Sequence, residues 1–188
     1  ENLLGLLIEA AVAGLAETGL SDDALDDGFG EVVGAVIRSL DEANTEAAEI
    51  SKAVQVVTKK AVQKAGSVSG MDPAAAIQSA TKNAVKGLGQ TNLSAAEVTA
   101  TLSTTVKTVV DSLDEVEGGT AIDLSTVVAQ VATSSIEGLA ELQQTFVNDA
   151  EFDLSAATKG IASGATEGAG ELAAANATLD LGTTIGAL

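Results

Sequence analysis

The chain has 188 residues, 46% of them hydrophobic, and a formal net charge of −18 at pH 7 from 27 acidic and 9 basic side chains. It contains no His, Cys, Trp or Tyr, the residue types behind most general acid–base, thiol and transition-metal chemistry and most stacking on bases and sugars. That composition argues against an enzyme, its acidity argues against a nucleic-acid partner, and zero cysteine excludes a disulfide-stapled fold while leaving the redox compartment open.

The first predicted helix, 3–18, is apolar nearly all round: Leu3, Leu4, Leu6, Leu7, Ile8, Val12 and Leu15 are broken only by Glu9 and Glu17. A helix without a polar face needs to be surrounded, either as the central helix of a bundle or as a plug between subunits. Leu4, Leu7 and Ile8 are therefore the first candidates for self-assembly. No run of 18 or more apolar residues exists, so no membrane-spanning helix is expected. The chain opens on Glu1 rather than Met, and we read it as an exported product whose leader has been removed.

Residues 22–41 form the second predicted helix, opened by Ser21 and the acidic run Asp22, Asp23, Asp26 and Asp27. Set against an EF-hand loop beginning at Asp23, the run has Leu25 at the third position and Gly34 at the twelfth, so it fails that pattern. It leaves room for no more than an adventitious or structural Ca²⁺.

The next two helices are predicted at 45–66, on the spacing Ile50, Val54, Val57, Ala61, Ala65 and Val68, and at 73–87, where Asp72 caps and Pro73 occupies the first position. Between them lies a break at Gly66 to Gly70. Six of the nine basic residues fall between 52 and 86, where Asp72 is the one acid. Lysines late in a helix complement the negative end of its dipole. They could equally make a basic patch, with Lys59, Lys60 and Lys64 as candidates for head-to-tail contact with another copy that weakens as salt rises. Ser79-Ala80-Thr81-Lys82 matches the Ser-x-x-Lys of serine acyl-enzymes, but its companion motifs are absent and the match is one of chance.

A recurrent start signal then punctuates the chain at Asn92-Leu93-Ser94, Asp123-Leu124-Ser125, Asp153-Leu154-Ser155 and Asp180-Leu181-Gly182, at intervals of 31, 30 and 27 residues. Ser94 with Glu97 reads as a capping box. Helices are predicted at 95–115, on Val98, Leu102, Val106, Val109 and Leu113, and at 125–147, on Val128, Val131, Leu139, Leu142 and Phe146, with Ser135 in an apolar slot. Gly118-Gly119-Thr120 separates them. Asn92 and Asn176 head glycosylation sequons.

The helix predicted at 156–175 carries Gly160, Gly164 and Gly168 on one face. Each interior glycine costs about 1 kcal/mol relative to alanine, so the stripe implies close packing, either on another helix of the chain or on another subunit. Residues 177–188 are short, apolar and rich in Gly and Thr, and read as an assembly tail or a frayed end.

These signals predict a single all-α domain over 1–188, an antiparallel bundle or short helical array of six or seven helices built from degenerate units of about 30 residues. The function they point to is a non-enzymatic, extracellular or cell-surface protein, with no cofactor, that self-assembles into a filament, appendage, surface layer or matrix. A monomeric helical module that recognises a protein partner is the alternative. An enzyme limited to Asp, Glu, Lys, Ser and Thr comes third.

Overall fold

The computed structural model describes residues 3–42, 46–118, 121–147, 149, 151–176 and 179–186. Among them the chain is all-helical: α1 (Leu3–Ala16), α2 (Asp22–Glu42), α3 (Ala47–Lys64), α4 (Pro73–Leu88), α5 (Ala95–Asp111), α6 (Leu124–Gln143), α7 (Leu154–Ala175) and α8 (Leu181–Gly186), with a single 3-10 turn at Leu113–Glu115. Gly119, Thr120, the last two residues of the Asn176 sequon and the final two residues of the expected tail lie outside the described residues.

The helix starts follow from their caps. Ser94 and Glu97 form the expected capping box, the Glu97 carboxylate accepting from the Ser94 backbone N–H at 2.8 Å. Asp72 accepts from the Ala74 N–H, with Pro73 following it. At α6 and α7 the cap is the aspartate of the recurrent signal rather than its serine. Asp123 accepts from Thr126 N–H and Asp153 from Ala156 N–H, so both helices begin one or two residues earlier than the spacing predicts. A carboxylate also complements the positive end of the helix dipole, which a serine hydroxyl does weakly.

Alternate helices lie side by side, α1, α3, α5 and α7 in one layer and α2, α4, α6 and α8 in the other. Their directions can be read from paired contacts. Gly30 and Gly34 of α2 abut Ser79 and Asn83 of α4, and Gly160, Gly164 and Gly168 of α7 meet Thr99, Ser103 and Val110 of α5. Residue numbers rise together in both pairs, so helices within a layer are parallel. Consecutive helices therefore run in opposite directions between layers. First-layer helices start at residues 3, 47, 95 and 154, so the interval of about 30 residues covers one helix and its connection, and the packing pattern repeats every two helices.

Bulky aliphatic residues fill the space between the layers. Ile8, Phe29, Ile37, Ile50, Ile77, Leu88, Leu102, Leu139, Ile161 and Leu172 are all fully buried. Between α2 and α4, α4 and α6, and α5 and α7 the in-layer contacts are made by bare backbone, which helps an aromatic-poor chain reach close packing. A Cβ on Gly138 of α6 would stand 2.5 Å from the Lys82 carbonyl oxygen of α4. Gly70 has φ +92, a left-handed conformation that suits glycine, and it turns the chain from α3 toward α4.

Two buried hydroxyls contrast. Ser135, fully buried in its apolar slot, donates to the Val131 carbonyl at 2.7 Å. Thr105 of α5 is equally buried, and its hydroxyl has no partner. Thr105→Val, which keeps the shape and removes the unsatisfied group, is expected to raise unfolding stability by about 1–3 kcal/mol in urea titration. An unchanged or lower midpoint would show that the hydroxyl is satisfied in solution.

Candidate functional site

The candidate residues from the sequence fall into three places. The lysines stand along the seams between in-layer neighbours. Lys60 of α3 pairs with Glu9 of α1, Lys59 with Glu115 at 2.8 Å, and Lys64 with both Glu9 and Glu117. In the other layer, Lys82 and Lys86 of α4 both reach Glu141 of α6, at 3.1 and 2.9 Å. The Lys60 ammonium holds the Glu9 carboxyl below its ordinary range, and Lys86 with Lys82 does the same to Glu141. Pairs this exposed add little to stability because solvent screens them, but they align the parallel helices. The charge segregated in sequence is thus largely neutralised in space by acids up to 59 residues away.

The glycine stripe is an intramolecular contact. A Cβ on Gly168 would lie 2.8 Å from the Val110 Cβ and 2.9 Å from the Lys107 carbonyl, and one on Gly164 would press into the Ser103 carbonyl. Gly160 has looser surroundings, with Thr99 O at 3.6 Å from its would-be Cβ.

α1 is an edge helix rather than the centre of a bundle. It packs on α2 and α3, with Ile8 and Val12 buried against them and Leu4 half-buried at the core margin. Its leucines on the other sides are open: Leu3 is 78% exposed, Leu7 47% and Leu6 42%. Leu6 borders a groove of about 210 Å³ between α1 and α3, together with Gly5, Glu9 and Val56. Helical spacing turns Leu3, Leu7 and Gly14 away from α3, toward the free end of the first layer. Of the candidates Leu4, Leu7 and Ile8, Leu7 stands on the open side, whereas Leu4 is half-buried and Ile8 belongs to the core; a helix wheel shows no neighbours and so does not tell an edge from a centre.

At the opposite end of the array, α8 lies beside α6, its Thr184 hydroxyl donating to Ser125 Oγ at 3.0 Å. Residues 181–186 of the expected tail are therefore a helix docked on the chain's own second layer. The outer face of α7 there presents Ala162 and Thr166, both exposed.

A larger groove, about 640 Å³, runs over α4 between α2 and α6 and is lined by charges of both signs, including Asp27, Glu31, Lys82 and Glu137. Among the described residues, no group of three or more acidic side chains is placed to hold a metal ion, and no helix is long and apolar enough to cross a membrane. Compared with known proteins, the chain matches no family model, and no curated protein is detectably similar to it in sequence.

Proposed function

We propose that the chain is a non-enzymatic structural protein of the cell exterior that associates with further copies of itself. The observation that carries this reading is the open leucine edge of α1 on a molecule of net charge −18. An apolar strip at the end of an otherwise well-charged surface is the kind of feature that marks a protein–protein contact. Placement outside the cell rests on composition, since a chain without cysteine is indifferent to an oxidising compartment and its dense acidity keeps it solvated.

The salt dependence follows from the placement of the charges. Lys59, Lys60, Lys64, Lys82, Lys86 and Lys107 are engaged by the chain's own acids, so contact through α1 chiefly opposes the mutual repulsion of two acidic molecules. Association is therefore expected to strengthen as salt rises and screens that repulsion. Light scattering across a salt and concentration series tests it. A mass fixed at the 18.5 kDa of one chain throughout would overturn self-association and leave a monomeric helical module that binds a protein partner.

A further inference from the structure

Resting on that reading, we infer that copies join end to end, the leucine edge of α1 in one copy packing on the outer face of α7 in the next, so that the first layer continues from molecule to molecule. Three observations converge on this surface. The array has two unlike open ends. One presents large side chains, Leu3 and Leu7, and the other the small, exposed side chains of Ala162 and Thr166, so the large residues of one end can seat against the small ones of the other.

The contact would also repeat a mode the chain already uses. Within the first layer every helix lies parallel to the next, and the closest pair, α5 with α7, meets through small residues on one partner. Placing α1 of a second copy beside α7 extends that series with the same direction. The facing surfaces add no net charge to the join. The α1 strip from Leu3 to Gly14 that faces outward is uncharged, and so are Ala162 and Thr166 of the α7 face. A contact between unlike ends is heterologous and open, so it builds chains of copies rather than closed pairs.

The absence of cysteine makes the test direct. Leu7→Cys and Ala162→Cys are prepared as separate proteins, both at exposed positions, with helical content checked by circular dichroism. Each is treated with a short bis-maleimide, alone and mixed, at a concentration and salt at which light scattering shows the wild type to associate. Mixing is expected to give at least tenfold more cross-linked dimer than either protein alone. Cross-linking of Leu7→Cys by itself would show α1 meeting α1 and overturn the end-to-end arrangement. So would the absence of cross-linking under associating conditions. Either result leaves self-association standing, whereas a wild type that never associates removes both.

Discussion

Gly164→Ala is expected to destabilise the protein by about 2 kcal/mol, while Gly170→Ala, six residues on in the same helix, is expected to stabilise it by about 0.5–1 kcal/mol. Alanine in place of glycine gains helix propensity at either site. What differs is the space the new methyl enters. At Gly164 it meets the backbone of α5, the Ser103 carbonyl above all, with the Ser103 carbonyl carbon at 3.1 Å and the Lys107 nitrogen at 3.2 Å. Backbone cannot rotate away, so the helices must separate and lose burial along their whole seam. At Gly170 nothing lies within 4 Å. Urea unfolding of the two variants at low protein concentration reads the signs directly, and stabilisation by both would show that α5 and α7 are not in backbone contact.

Asp26→Asn is expected to make the protein more stable at pH 7.5 by up to about 3 kcal/mol and to leave it nearly unchanged near pH 4. Asp26 is 7% exposed in the first turns of α2, where its carboxylate accepts the Asp72 N–H at 3.2 Å and so ties α2 to the cap of α4. Burial pushes its pKa up to about 6, with Asp72, Asp23 and Asp22 adding like-charge repulsion against the hydrogen bond that favours the charged form. An unfolded aspartate titrates near 3.9. The folded state therefore binds this proton more tightly, and the group's contribution to stability is present at low pH and lost as pH rises from about 4 to 6. Asparagine keeps the acceptor oxygen and never ionises. Glu9, Glu115, Glu141 and Glu171 are shifted in the opposite direction by their lysine partners, so the readout is the difference between wild type and variant across pH. A difference that stays constant from pH 4 to 8 would place Asp26 in water.

Most of the helices were legible because caps and spacing are local. The intervals of Val98, Leu102, Val106 and Val109 place α5, and Ser94 with Glu97 starts it. Asp123 and Asp153 outcompete the serines two residues later because their charge also complements the helix dipole. The roles of the candidate residues were less legible, since each depends on a partner far along the chain. Glu9 is 51 residues from Lys60, so the lysines look like a patch in sequence and act as seams in the fold. The stripe of Gly160, Gly164 and Gly168 announces a close contact, but only the placement of Ser103 and Lys107 shows that its partner is α5. Residues 181–186 are too rich in Gly and Thr to read as a helix, and they form one because Asp180 caps it, accepting from the Gly182 N–H at 3.0 Å, and α6 receives it.

The central claim is that open ends of a helical array join copies of this chain. Electron microscopy of the concentrated protein at high salt tests it most directly. Parallel helices in a layer stand about 8–10 Å apart, so four first-layer helices advance an end-to-end assembly by about 32–40 Å per copy. Filaments with an axial repeat in that range are the expected result. A field of single particles, with a scattering mass that stays at 18.5 kDa, would contradict it.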